Sequence, residues 1–351
     1  MPFVEVKTRY GRTNFQYTIS TPLSATSSTI NPSLPVILWF HALVFPHVFH
    51  SQFSDPLLRK FNLVVFSFRT QGDTGGDDLP EGYGVKETVQ DVLAFMDAID
   101  LPPCHFVAMD YGSPVALEIA MSQPGRVLSL CIMSQACLEE PLNAREGHQE
   151  LYDAWDASFP GPKQVDVERS MEVGFGFGQL MFSNKMTTLA QCMFKYTFWL
   201  TSRNWDHLGM KNCRIGFLEY FLDRKSPSAH ALSRIQCPVK LLYGTDDIAY
   251  PQSHSEQFLH DLQQVGVEAS LYIVEGAPHY LCVDFADEID PIIHDFIMQN
   301  EHRQAPPVVG EISSPWLSVL RTHGWNPEGG NDSDDDDFFI TYPSSNQSPK
   351  F

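Results

Sequence analysis

Asp110, the adjacent pair Asp246 and Asp247, and His279 are residues of the types, and stand in the order, that nucleophilic catalysis requires. An activated nucleophile needs a base within reach, either of itself or of a water, and the base needs an acid to orient it. Asp110 is the centre of Ala108-Met109-Asp110-Tyr111-Gly112, where an apolar run stops and helical spacing begins at once. Small-x-Asp-x-small at such a junction has the grammar of a nucleophile elbow, a sharp strand-to-helix turn that lifts one side chain above a sheet edge. Small residues belong on either side because the two backbones pass close together there. An Asp that ends a strand also serves as a helix cap, so the motif takes its meaning from partners downstream. These are Gly244-Thr245-Asp246-Asp247 and Gly276-Ala277-Pro278-His279, each directly after an apolar run. In an open parallel sheet the carboxyl ends of the strands form one rim, where sites are built.

Bringing the three together requires strands that end on that rim and helices that return the chain between them. Residues 3–10 and 14–19 read as two strands of a hairpin turned near Gly11, and the Ser/Thr-rich segment 21–33 as a loop. Residues 35–40 and 63–68 are continuous apolar runs, as expected of strands buried on both faces. They end in His41-Ala42 and in Arg69-Thr70-Gln71-Gly72-Asp73-Thr74. Val85, Val89, Val92, Phe95 and Met96 give 84–99 a helical stripe. A strand at 104–110, a helix at 111–122 and a strand at 127–134 follow. After a long gap, strands at 239–244 and 270–274 alternate with helices at 254–265 and 285–297. Such alternation specifies an α/β fold with a mostly parallel central sheet flanked by helices.

The gap differs in composition. It is rich in aromatic and Met residues, among them Trp155, Phe177, Met181, Phe198 and Trp205, as suits an inserted helical cap over an apolar cavity. Buried aromatics also simply form a segment's own core. The expected organisation is a core at 1–138 and 233–300, a cap at 139–232 and a C-terminal extension at 301–351. Within the extension, 316–320 is expected to dock on the body as a short amphipathic turn. Residues 326–351, with the acidic run at Asp332 and Asp334 to Asp337, are expected to be largely disordered.

The 351 residues carry a formal charge of −20, which argues against nucleic acid or an anionic membrane as partner, since phosphate binding needs clustered Lys and Arg. The first twelve residues have strand-like alternation rather than a signal peptide's apolar core or a transit segment. No apolar stretch is long enough to span a bilayer. Seven cysteines without a CxxC pair read as reduced core residues, so a cytoplasmic location is expected. His47, His50, His105 and His254 show no metal-ligand spacing, and neither a metal nor a cofactor is expected. Arg69 reads as a structural anchor of its loop.

The segment 35–297 resembles the α/β-hydrolase fold superfamily. Four signals in order carry the resemblance: the His41 dipeptide, the turn at Arg69 to Thr74, the elbow at Asp110, and the pair Gly244-x-x-Asp247 and Gly276-x-x-His279. It implies Asp247 as the acid, three residues after the glycine, with Asp246 the runner-up. An Asp at the elbow resembles epoxide hydrolases and haloalkane dehalogenases. That likeness implies attack by Asp110 on an electrophilic sp3 carbon to give an alkyl ester, which a water activated by His279 then hydrolyses. Attack on an ester carbonyl would instead give an anhydride, with little advantage. The resemblance further implies an oxyanion hole made by the backbone N–H groups of Ala42 and Tyr111. It also implies cap tyrosines acting on the epoxide oxygen, for which Tyr152, Tyr196 and Tyr220 are candidates, with His41 beside the substrate pocket. The chain departs from the pattern in carrying Ala42-Leu43-Val44 after His41, and Tyr111 where dehalogenases carry Trp.

The expected function is an epoxide hydrolase-like enzyme acting on an apolar small molecule with water as co-substrate. One alternative is natural-product metabolism, with Asp110 as acid or base in lactone or ester chemistry, cyclisation or rearrangement. Another is a catalytically idle fold that binds an apolar molecule or a protein, against which the intact Asp247 and His279 argue. Ser113 and Ser134 lie off the elbow, which disfavours a serine esterase.

Overall fold

In the computed structural model, which describes residues 1–303 and 313–327, the apolar runs pair into one ten-stranded sheet. β1 (Phe3–Thr8) and β2 (Gly11–Thr21) form the expected antiparallel hairpin. β3 (Ser24–Ser27) lies in the segment expected to be a loop and pairs with the end of β2. The buried Arg59 guanidinium ties that corner by donating to the carbonyls of Thr21 and Ser24, a contact between sequence-distant groups that local composition does not encode.

β4 (Val36–Phe40), β5 (Asn62–Phe66), the two-residue β6 (Gly75–Gly76), β7 (Cys104–Asp110), β8 (Val127–Gln135), β9 (Val239–Gly244) and β10 (Ala269–Val274) complete the sheet. The order is β1-β2-β5-β4-β7-β8-β9-β10, with β3 and β6 pairing β2. From β5 to β10 along that order every pair is parallel. All residues of β4, β5 and β7 are buried, as their unbroken apolar runs require of strands covered on both faces. The chain leaves β4 toward β5 on one side and returns to β7 on the other. That reversal opens a crevice at the carboxyl ends of β4 and β7, where ligands bind in open α/β sheets.

α1 (Val85–Ala98) and α2 (Gly112–Ser122) return the chain between strands. Between β8 and β9 the chain is helical. It forms α3 (Leu142–Ala157), α4 (Val167–Met181), α5 (Thr188–Asn204), α6 (Met210–Cys213), α7 (Tyr220–Leu222) and α8 (Ala229–Leu232), with a π-helical turn at Arg214–Glu219. α9 (Gln252–Gln264), α10 (Leu281–Asp284) and α11 (Ala286–Gln299) follow. α12 (Leu317–Thr322) docks through buried Trp316 and Leu320, the Trp316 ring lying edge-on to Phe53 at 5.0 Å. The tail expected to be disordered lies outside the described residues from 328 onward.

Arg69 anchors its turn. Its guanidinium meets Asp91 at 3.3 Å with both side chains buried, and it donates to the carbonyls of Tyr10, Asp77 and Asp78. No helix among the described residues is long and apolar enough to cross a membrane.

Candidate active site

Asp110 ends β7 with φ +44, in the left-handed region that a non-glycine residue enters only when its surroundings impose it, at a cost of about 1–3 kcal/mol. α2 begins two residues later at Gly112. A Cβ on Gly112 would lie 2.6 Å from both the Cβ and the carbonyl oxygen of Phe40 on β4, so the helix passes close to the strand only because this residue is glycine. Strand, strained residue and close approach together present the carboxylate at the crevice.

The other two groups arrive at the ends of β9 and β10, on the far side of β8 from β7. β9 and β10 are paired through Gly244 and Val274, and a Cβ on Gly244 would lie 2.2 Å from the Ala277 carbonyl oxygen. That close approach brings the turns after the two strands together. Asp247 Oδ2 accepts from His279 Nδ1 at 2.7 Å, and its Oδ1 accepts from the amides of Ala249 and Tyr250 at 2.8 and 3.0 Å. Both oxygens of the carboxylate are thereby fixed. Asp246, the runner-up, faces outward and pairs with Lys185 at 2.6 Å. His279 is buried, and its Nε2 points at Asp110 Oδ1 from 3.7 Å.

The amides around Asp110 differ from expectation at one position. The Tyr111 amide lies near enough to the carboxylate to help hold it ionised. On the other side Leu43, not Ala42, donates to Asp110 Oδ2, at 3.2 Å. The cause is a tight turn at 42–45, closed by a bond from the Phe45 amide to the Ala42 carbonyl at 3.1 Å, with Val44 at φ +53. A β-branched residue at positive φ is a genuine outlier. Gln71 Oε1, accepting from the Val44 amide at 2.8 Å, holds it there. His41 lies beneath the turn, where its Nε2 accepts from the Phe68 amide at 3.1 Å and burial pushes the imidazole down to about 4, so the ring is a neutral support.

Electrostatics set complementary charges on the central pair. Burial pushes the Asp110 carboxyl up, but the adjacent His279 imidazolium and the Leu43 and Tyr111 amides outweigh it and hold it below its ordinary value. Burial pushes His279 down, and the negative charges of Asp247 and Asp110 overcome this and raise it to about 10. Both shifts favour a carboxylate facing an imidazolium in the resting site.

A cavity of about 550 Å³, counting space open to solvent, lies between the 42–45 turn and helices α3, α4 and α5. Leu43, Trp155, Phe177, Phe198, Trp205 and Phe217 are among its lining residues. Its two lining hydroxyls are engaged within the protein, Thr197 with His47 Nε2 at 3.1 Å and Thr201 with the Thr197 carbonyl at 2.9 Å. It adjoins Asp110 through Leu43, which lines the cavity and donates to the carboxylate.

The expected cap tyrosines are placed otherwise. Tyr220 donates to the Tyr111 carbonyl at 2.8 Å while its ring stacks on Tyr111 at 3.9 Å, so its one proton is directed away from Asp110. Tyr196 packs against His47 at 4.9 Å and Trp199 at 6.2 Å. Tyr152, on α3, neighbours Asp156 and Cys213 and is not among the residues lining the cavity. The hydroxyl that does reach the site is Tyr280, whose Oη lies 3.3 Å from Asp110 Oδ2. Sequence reasoning passed over Tyr280 and Leu43. The available signal was adjacency, since Tyr280 follows His279 directly and the 42–45 turn follows β4. His47 and His105 also serve structure, His47 toward the Met193 carbonyl at 2.9 Å and His105 toward Ser129 at 2.9 Å.

The family model described as alpha/beta hydrolase fold matches residues 35–286. Epoxide hydrolase 1 of Siraitia grosvenorii is 23% identical over 293 residues, spanning 76% of this chain and 92% of that protein. A thermophilic esterase from Thermogutta terrifontis superposes with a TM-score of 0.64 at 14% identity, covering 86% of this chain and 99% of the other. An epoxide hydrolase from Vigna radiata does so with a TM-score of 0.59 at 17% identity, covering 85% and 98%.

Proposed function

The chain belongs to the α/β-hydrolase fold family and is a hydrolase resembling epoxide hydrolases; on that premise we propose that Asp110 is a covalent nucleophile toward an epoxide or similar electrophilic carbon of an apolar substrate. The observation that carries this reading is the elbow itself. A carboxylate occupies the strained turn, one oxygen held by the Leu43 amide and the other facing His279 at 3.7 Å.

In the resting state Asp110 is ionised and His279 protonated. Oδ1 attacks the electrophilic carbon, the carbon–oxygen bond of the epoxide breaks, and its electron pair leaves on the oxygen. The proton carried by His279 balances that alkoxide, leaving a neutral imidazole. Esterification also removes the Asp110 charge, one of the two carboxylates that keep the ring protonated. The first step thus converts His279 from an acid into a base. It then takes a proton from water as the water oxygen attacks Asp110 Cγ, with Asp247 stabilising the imidazolium that forms again. The apolar cavity suits a hydrocarbon tail, because its own hydroxyls are already engaged.

Turnover in isotopically labelled water with a panel of aryl and alkyl epoxides tests the reading. Solvent oxygen is expected in the Asp110 carboxylate after a first turnover, and the His279→Ala variant should accumulate a substrate adduct on Asp110. Labelled product formed by an enzyme whose Asp110 stays unlabelled and never carries an adduct would reject it. That result would favour Asp110 as a general acid or base in lactone chemistry, cyclisation or rearrangement. One observation favours this second reading: the Tyr220 hydroxyl donates to the Tyr111 carbonyl and so does not serve as an acid toward an epoxide oxygen.

A further inference from the structure

We propose that the Tyr280 hydroxyl is an oxyanion donor beside the Leu43 amide, stabilising the charge that develops on Asp110 Oδ2 while the covalent ester is hydrolysed. This rests on Asp110 being the nucleophile. The two carboxylate oxygens are not equivalent. Oδ2 accepts from the Leu43 amide at 3.2 Å and from Tyr280 Oη at 3.3 Å, whereas Oδ1 faces His279 Nε2. Oδ2 carries both hydrogen bonds while Oδ1 lies beyond hydrogen-bond distance of His279 Nε2, so Oδ1 is the freer nucleophile, the ester forms through it, and Oδ2 remains as the carbonyl oxygen.

Hydrolysis then moves charge toward those donors. Water attacks Cγ while one of its protons passes to His279 Nε2, and the Cγ–Oδ2 π pair shifts onto Oδ2. Collapse restores that π bond and breaks Cγ–Oδ1, the electron pair leaving on the product oxygen. The product takes the hydroxyl proton of the new carboxyl group, and Asp110 and His279 return to carboxylate and imidazolium. Donors at 3.2 and 3.3 Å in the resting state shorten as Oδ2 gains charge, which is how preorganised donors accelerate a step.

Tyr280 is built for this role. Its ring is held edge-on by Phe45 at 5.5 Å and Phe182 at 5.6 Å, and its amide donates to the Met181 carbonyl at the end of α4 at 2.9 Å. Burial and then the Asp110 charge hold the phenol well above its ordinary range, so it stays a donor at any working pH. A side-chain donor also gives the hole a fixed group where the 42–45 turn replaces the sequence usual in epoxide hydrolases.

Tyr280→Phe keeps the packing ring and removes the donor. Rapid-quench mass spectrometry with styrene oxide as probe follows the Asp110 adduct in the wild type, in His279→Ala and in Tyr280→Phe. The expected result is adduct formation little changed in Tyr280→Phe, with hydrolysis slowed on the order of 10²-fold so that the ester accumulates. Slowed adduct formation without accumulation would overturn the proposal and make the hydroxyl an acid toward the opening oxygen. Wild-type rates for both steps would overturn it as well. If His279→Ala and Tyr280→Phe both turn over without any adduct, the nucleophile reading fails and this proposal falls with it.

Discussion

Nε2 of His279 lies 3.7 Å from Oδ1 of Asp110, with no hydrogen-bond partner of its own among the described residues. The opposite ring nitrogen is bonded to Asp247 at 2.7 Å, so the ring cannot swing toward Asp110 without breaking that bond. The imidazole therefore addresses the nucleophile across a fixed separation. That arrangement suits a base that acts on a water attacking Cγ better than one that deprotonates its neighbour directly.

The two adjacent carboxylates after β9 should respond very differently to neutralisation. Asp247→Asn removes the acceptor that sets the His279 tautomer and should lower kcat by roughly 10⁴-fold. Asp246→Asn removes only a surface pair with Lys185, of the kind worth about 0–1 kcal/mol, and should leave kcat unchanged. Steady-state rates on any accepted epoxide decide it, and equal losses in the two variants would contradict the assignment of the acid.

Stability should carry the signature of the raised imidazole. A group whose folded value lies above its unfolded one contributes stability in full below the unfolded value and loses it as pH rises through the folded one. For His279 that contribution is whole below about 6.5 and disappears as pH rises through about 10. Asp110, held below its ordinary 3.8, contributes above that value and loses its contribution as pH falls through the depressed one. Chemical denaturation of the wild type and His279→Gln across this range should show their difference shrinking from pH 6.5 toward 10. A difference that grows with pH would contradict the charge state assigned to the site.

Gly112→Ala should be destabilising out of proportion to one methyl group. Its Cβ would meet the backbone of Phe40 at 2.6 Å, and a strand cannot give way as a side-chain tip can. Overpacking of this kind costs typically about 1–3 kcal/mol, and here it also displaces Asp110 from its position at the elbow. Urea midpoints and residual turnover should fall together. Wild-type stability in this variant would show that helix and strand do not need their close approach.

Filling the apolar cavity should discriminate among substrates by size. Thr201 lines it from α5, and Thr201→Trp should reduce kcat/KM for bulky aryl epoxides by roughly tenfold or more while sparing small alkyl epoxides. A uniform loss across both classes would indicate that substrates do not lie in this cavity.

Most of the strand and helix order follows from local physics. The unbroken apolar runs at β4, β5 and β7 are what a strand covered on both faces must be, and the stripe on α1 follows from the helical period. β3 is not legible in its Ser/Thr-rich letters because the Arg59 contact that ties its corner comes from far away in sequence. Within the candidate site, the order Asp110, Asp247, His279 was legible because each follows a strand end, and the glycines at 112 and 244 mark where backbones must approach closely.

What folding alone decided is which donors reach which oxygens. Leu43 rather than Ala42 meets Asp110 because the 42–45 turn is held by Gln71, from a different loop. Tyr220 directs its hydroxyl to the Tyr111 carbonyl, while Tyr280, unremarkable as a letter after a histidine, directs its own to the carboxylate. Periodicity reports which face of an element is buried, since that depends on local backbone geometry. A hydrogen bond depends on distances of a few tenths of an ångström between elements that share no local sequence, and only their packing sets those.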